Sequence, residues 1–229
     1  MTFPLEVSEL QFRYQGSETN ILRGVNLKVK KGEILALVGL SGCGKTTLCY
    51  CLCGIIPHVI QGDYKGKVLI NGTSASEMKL PGIATKLGIV FQDPDTQLFA
   101  PVVEDEIAFG PENLCIERDE IGKRISEVLK QVGMERYRLG SPAILSGGQK
   151  QLIALASVLS LHTEIFIFDE AMSQIDSEGK RSIKEMICQL KNLGKTIVMV
   201  EHDFENLDIA DRIMVMRNGI LEPYNGVLK

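Results

Sequence analysis

The sequence predicts an α/β protein with a parallel core, an antiparallel β portion near its N-terminus and a helical insertion in its second half. Three observations carry this. Ile34 to Val38, Ile165 to Phe168 and Ile197 to Val200 are short apolar runs with no polar interruption, as expected of strands covered on both faces of a parallel sheet. Helical spacing at Gly44 to Cys53, Gln149 to Leu159 and Ser177 to Leu193 alternates with them, which is the α/β pattern. Between Asp93 and Leu159 strand signals are few, prolines stand at 94, 101 and 111, and helical periodicity runs from Glu120 to Val132.

Leu5 to Tyr14 and Val25 to Val29 alternate as half-covered strands do, separated by a polar turn around Gly16 to Asn20, so the pair is expected to be antiparallel. Lys67 to Ile70 ends at Asn71-Gly72, a pair that accepts positive φ and marks a hairpin. These segments together predict a small β subdomain. Leu87 to Phe91 reads as a further covered strand. The expectation is one domain over 1–229, with antiparallel β over 1–30 and 62–76, a helical insertion over 93–160, and the remainder the parallel core.

Of the 229 residues, 45% are hydrophobic and 24% charged, with a formal net charge of -4. That balance suits a packed domain rather than a disordered chain, and without a long Lys/Arg block no nucleic-acid or anionic-lipid footprint is expected. No apolar run approaches the roughly 20 residues of a bilayer span, and Met1-Thr2-Phe3-Pro4-Leu5-Glu6 lacks the basic flank and apolar stretch of an export signal. The expectation is a soluble, cytosolic protein that meets a membrane only through a protein partner. Of six cysteines, Cys49, Cys51 and Cys53 fall on a helical segment, where two-residue spacing turns successive side chains about 200° apart and prevents a joint metal site. Reduced, buried thiols are expected.

Gly39-Leu40-Ser41-Gly42-Cys43-Gly44-Lys45-Thr46 fits the P-loop pattern. A covered strand enters it and a helical segment leaves it, so backbone N–H groups and the helix dipole converge on anionic phosphates. Lys45 is expected to face the β- and γ-phosphates, Thr46 to complete Mg²⁺ coordination, and Thr47 to meet the α-phosphate. Leu145-Ser146-Gly147-Gly148-Gln149 precedes another helical segment. Its hydroxyl and its glycine N–H groups at a helix N-terminus make a second anion site. Ile165-Phe166-Ile167-Phe168-Asp169-Glu170 delivers two carboxylates to a strand's carboxyl end, one able to hold Mg²⁺ and the other to polarise a water.

This set resembles the ABC ATPases: a P-loop, a Leu145–Gln149 signature and an Asp169-Glu170 Walker B strand, in that order over nearly the whole chain. The resemblance implies a RecA-like nucleotide-binding core with an antiparallel β subdomain and a helical signature subdomain. It implies an Mg-dependent ATPase in which ATP is held between the P-loop of one subunit and Ser146, Gly147, Gly148 and Gln149 of another. Gln92 resembles the Q-loop glutamine that reaches Mg²⁺ and the attacking water, and His202 the switch histidine that meets the γ-phosphate. Asp176 matches the D-loop aspartate within Ser173-Gln174-Ile175-Asp176, where the family more often has Ser-Ala-Leu-Asp. Tyr14 stands where the family places an aromatic ring on adenine. Catalysis then falls to Glu170, Gln92 and His202, and Mg²⁺ binding to Thr46, Gln92 and Asp169.

The stretch Asp93-Pro94-Asp95-Thr96-Gln97-Leu98-Phe99-Ala100-Pro101, continuing through Ala108-Phe109-Gly110-Pro111-Glu112-Asn113, resembles the energy-coupling-factor ATPases. Those power uptake of vitamins or of cobalt and nickel ions, pairing with a transmembrane coupling subunit and a separate membrane substrate-binding subunit. The implied location is the cytoplasmic face of the membrane. Two departures stand out: Lys150 follows the signature where Arg or Gln-Arg is frequent, and the chain stops at Lys229 without the longer C-terminal extension of many coupling-factor ATPases. A conventional importer or exporter ATPase is the alternative. A non-transport ABC protein acting on DNA or ribosomes would be expected to carry coiled-coil inserts, a second cassette or basic arms, and a regulatory sensor without sustained hydrolysis would not need Glu170 and His202. Homodimer and heterodimer are equally open, and the transported solute is not encoded in this chain.

Overall fold

The structure is a computed structural model and describes residues 3–226; Met1-Thr2 and the end at Lys229, on which two of the expectations above rest, lie outside them. β1 (Leu5–Tyr14) and β2 (Leu22–Val29) pair antiparallel. Next come β3 (Ile34–Val38), α1 (Lys45–Leu52), the short α2 (Ile55–His58), β4 (Gly62–Ile70), which pairs antiparallel with β1, and β5 (Thr73–Ser74). The Asn71-Gly72 turn joins β4 to β5, both residues at positive φ, and the sheet order is β2-β1-β4-β5. After α3 (Leu80–Ala84) and β6 (Leu87–Val90) come α4 (Val103–Asn113), α5 (Arg118–Gln131) and α6 (Gly147–Leu159). The remaining elements are β7 (Ile165–Asp169), α7 (Ser177–Asn192), β8 (Thr196–Val200), β9 (Arg212–Arg217) and β10 (Ile220–Pro223).

The second sheet has the order β10-β9-β3-β8-β7-β6. Its strands β9, β3, β8, β7 and β6 are parallel, and β10 turns back antiparallel. Every residue of β3, β7 and β8 is buried, and their side chains split by the two-residue period of a strand. Ile34, Ala36, Val38, Phe166, Phe168, Ile197 and Met199 enter a core shared with α4, α5, α6 and α7. Leu35, Leu37, Ile165, Ile167, Val198 and Val200 enter the opposite core, with α1 and the inner face of the antiparallel sheet. Polar residues cannot interrupt such strands because neither face meets water. Gly88 on β6 lets α6 press close, since a Cβ there would stand 2.1 Å from Val158 Cγ1.

The thiols differ in part from expectation. Cys49, Cys51 and Cys53 are buried and unpaired, but Cys115 is exposed and Cys43 and Cys188 are half-buried. Cys115 lies just past the end of α4 at positive φ, outside the periodic positions that face the core. Strands β9 and β10 go beyond what the sequence reading expects. Their signal is the run Ile213 to Met216 followed by Asn218-Gly219, both at positive φ, the same hairpin signature as Asn71-Gly72. Among the described residues no helix is long and apolar enough to cross a membrane.

Candidate functional site

Parallel strands bring their carboxyl ends to one edge, and every strand of the core that carries a candidate group ends there. β3 runs into the glycine loop 39–44, β6 into Phe91-Gln92, β7 into Asp169-Glu170 and β8 into Glu201-His202. The loop depends on glycine. Gly39, Gly42 and Gly44 lie at φ +152, +77 and +112, and a Cβ on Gly39 would meet the Met216 carbonyl at 2.4 Å. The β9–β10 turn braces the loop from outside, where Gly219 N–H donates to Cys43 O at 3.1 Å.

Lys45 opens α1 and is 5% exposed. Its Nζ donates to Gly39 O (2.9 Å) and Leu40 O (3.2 Å) and lies 3.5 Å from Glu170 Oε1. The ammonium is thus held at the loop mouth, neutralised on one side by a carboxylate. Thr46 Oγ1 donates to Asp169 Oδ1 at 3.3 Å. Thr47 is buried, and its hydroxyl is 3.0 Å from Tyr14 OH. Tyr14 stands edge-on to Phe12 with ring centroids 4.9 Å apart. It lines a 690 Å³ cavity with Gln15, Gly16, Pro57 and Gly62. The tyrosine is therefore tied to the first turn of α1 and open to a cavity beside it.

Asp169 is 4% exposed, and burial raises its carboxyl to about 6 against the pull of the Thr46 hydroxyl. Glu170 sits at φ +52, rare for a residue with a Cβ, with its N–H on Val200 O and its carbonyl accepting from Ser173 N–H. That backbone turns Glu170 Oε2 toward His202, whose Nδ1 is 3.7 Å away. His202 itself is exposed. Beneath it Glu201 is 2% exposed, accepts from Asn206 Nδ2 at 3.2 Å, and has its carboxyl raised chiefly by burial. Lys180 of α7 pairs with Asp203 at 3.2 Å and Lys184 with Asp208 at 2.5 Å, so the turn after His202 is pinned to α7.

Two cavities meet at this edge. One, of 730 Å³, is lined by the loop 38–43, Gln92, Glu170, His202, Phe204 and the 215–218 turn. The other, of 390 Å³, is lined by Thr46, Tyr50, Gln92 and Asp169 among others. Gln92 faces both. A hydroxyl, a carboxylate and an amide around one small cavity form an all-oxygen donor set suited to Mg²⁺, which takes few protein ligands and the rest from phosphate and water. Among the described residues no group of three or more His, Cys, Asp or Glu offers a denser metal site.

Because the folded-state carboxyl of Asp169 is raised, its contribution to folding is favourable below pH about 4 and is lost as the pH rises through about 6. In EDTA and without nucleotide, wild type is therefore expected to lose roughly 1–3 kcal/mol against Asp169→Asn between pH 4 and 7. Parallel urea titrations of both proteins measure this, and a constant difference across that range would refute it.

The signature residues stand apart. Ser146 caps α6, accepting from Gln149 N–H at 3.3 Å, while Gln149 Oε1 accepts from Ser146 N–H at 3.0 Å. This is a capping box. Gln149 Nε2 also donates to Tyr137 OH at 3.0 Å. Ser146 and Gly147 are exposed, and Gly148 is buried against Gly179, near which a Cβ would lie at 3.0 Å. Asp176 caps α7 by accepting from Gly179 N–H at 2.8 Å, so the start of α7 abuts the start of α6. None of Ser146, Gly147, Gly148 or Gln149 lines the two cavities at the glycine loop.

The sequence profile described as ABC transporter matches residues 22–173. An energy-coupling factor transporter ATP-binding protein of Methanosarcina acetivorans is 43% identical over 88% of this chain and 72% of its own length. Another, from Mycoplasmopsis synoviae, is 39% identical over 95% and 80%. A putative ABC transporter ATP-binding protein of Methanosarcina acetivorans is 44% identical over 94% of this chain, which spans only 34% of that relative. The structure of cbiO1 from Clostridium perfringens, part of the ABC transporter complex cbiONQ, superposes with a TM-score of 0.84 at 33% identity, covering 96% of this chain and 87% of that one. With a family match over most of its length and relatives of this identity and coverage, the chain belongs to the ABC transporter family and is similar to its energy-coupling factor ATP-binding proteins.

Proposed function

We propose that this chain binds and hydrolyses ATP as one half of an ATP-sandwich dimer that energises an uptake transporter of energy-coupling-factor type. The observation that carries the reading is the convergence at one sheet edge of Lys45, the Thr46–Asp169 pair and Glu170 between Lys45 and His202. The loop N–H groups and Lys45 bind the phosphates; ATP would draw Nζ away from Gly39 O and Leu40 O. Thr46, Asp169 and Gln92 would hold Mg²⁺, which when bound shields phosphate charge during transfer. Glu170 is the base that takes a proton from the attacking water, and His202 orients that carboxylate and meets the γ-phosphate. The raised carboxyl of Asp169 is the consequence of its burial at the end of β7.

Ser146, Gly147, Gly148 and Gln149 lie away from the chain's own loop, which supports their acting on a nucleotide held by a second subunit, with Asp176 beside that contact. Tyr14 faces the cavity next to α1 in a position to meet the base. The subunit is a peripheral protein of the cytoplasmic membrane face, docking on a transmembrane coupling subunit alongside a membrane substrate-binding subunit. Support for this comes from the similarity to energy-coupling factor ATP-binding proteins and to cbiO1, itself part of a transporter complex. Purified chain is expected to release phosphate from ATP only with Mg²⁺, and tagged chain from its own host to bring down two membrane proteins. No phosphate release in the presence of those membrane proteins would end the ATPase reading.

A further inference from the structure

Phe91 immediately precedes Gln92, and both of its backbone polar groups are held by side-chain amides. Gln97 Oε1 accepts from Phe91 N–H at 3.0 Å, and Gln151 Nε2 donates to Phe91 O at 2.8 Å. Gln97 Nε2 also donates to Ile89 O at 3.3 Å. β6 is an edge strand of the larger sheet, and the Gln97 amide offers it the donor and acceptor a neighbouring strand would supply. Gln151 lies on α6, two residues beyond Gln149, and is fully buried. Beside it Lys150 Nζ is 2.6 Å from Asp95 Oδ1, on the turn that follows Gln92. Two consecutive side chains of the signature helix thus grip the segment that carries Gln92.

Gln151 is an odd choice for packing alone. Its Oε1 is buried without a hydrogen-bond partner, and an unpaired buried acceptor is destabilising in a way that leucine, of similar volume, would not be. We propose that Gln151 and Gln97 are positioning residues for Gln92: by clamping the Phe91 peptide they tie the glutamine that faces this chain's own nucleotide to the helix whose N-terminus faces the partner's. The inference rests on the ATPase reading above. It makes the Lys150–Asp95 pair an auxiliary link, because Asp95 is largely exposed and such pairs are weak.

The test uses the full chain with Mg-ATP. Gln151→Leu is expected to lower kcat about tenfold with KM within about twofold and no fall in the thermal midpoint, as displacement of a positioned group does. Gln97→Leu is expected to act in the same direction. In a Gln92→Ala background the added effect of Gln151→Leu should shrink below about twofold, whereas a purely structural role would give the same factor in both backgrounds. Independently of turnover, amide exchange at Phe91 should quicken about tenfold in Gln97→Leu. Unchanged exchange, or a kcat within about twofold of wild type in Gln97→Leu, overturns the clamp; should Gln151→Leu not fold, Gln97→Leu decides. Absence of Mg-dependent turnover in the wild type overturns the ATPase reading instead, and the exchange result still judges the clamp.

Discussion

Replacing Glu170 by glutamine is expected to leave ATP affinity within a few-fold of wild type while lowering kcat by about 10²–10⁴, the usual contribution of a positioned base. Glutamine keeps the volume of the side chain, and the backbone that aims it is held by Val200 O and Ser173 N–H, which the substitution does not touch. What is lost is the negative charge facing Lys45 at 3.5 Å and His202 at 3.7 Å, and with it the acceptor for the water's proton. The substitution leaves the Lys45 ammonium and the N–H groups of the glycine loop in place, so the phosphate grip survives. Asp169 would ionise more easily, because the Glu170 charge is one of the causes that raise its carboxyl. The variant should therefore accumulate as an ATP-bound dimer, seen by gel filtration with Mg-ATP, and single-turnover phosphate release separates slow chemistry from slow product loss. Turnover at the wild-type rate would remove Glu170 from the role of base.

Lys45→Ala has the complementary signature, a loss of nucleotide binding. An ammonium that is 5% exposed and aimed across the loop mouth supplies charge-assisted hydrogen bonds to phosphate. Their removal should weaken ATP binding by about 2–4 kcal/mol, or roughly 30- to 1,000-fold in Kd. A second effect adds to this. Lys45 is among the charges that hold the Asp169 carboxyl down, so without it that carboxyl rises further and the cation site is less often ionised near neutral pH. Titration with a fluorescent ATP analogue, with and without Mg²⁺, resolves the two effects. Wild-type affinity in both conditions would show that the loop N–H groups alone carry the phosphates.

Much of the site is legible in the sequence because its chemistry is local. Gly39 to Thr46 is a contiguous loop whose glycines are required by positive φ and by the 2.4 Å approach of the Met216 carbonyl. Ser146 and Gln149 cap their helix from positions three apart, a relation visible in the order of residues. Other functional contacts depend on tertiary packing and leave no periodic trace, whether the partners are 60 residues apart, as Gln151 and Phe91 are, or only five or six, as in Asn206–Glu201 and Gln97–Phe91. Gln97, Gln151, Lys180 and Asn206 read as ordinary polar residues, since nothing in their neighbours states that Phe91, Asp203 or Glu201 will lie beside them. The β9–β10 hairpin carries a readable turn signal, but its role in bracing the glycine loop through Gly219 and Met216 needs the sheet order, in which β9 adjoins β3.

By itself the sequence determined the type of most strands and helices before β9, the glycine cradle, and which carboxylates end a covered strand, because periodicity, positive-φ tolerance and capping act over a few residues. Only the tertiary structure decided that Glu170 lies between Lys45 and His202, that burial raises Asp169, and that the signature helix grips the peptide before Gln92. Those properties come from parallel strands bringing distant carboxyl ends to one edge and from the low-dielectric surroundings that packing creates there, and neither exists until the chain has closed.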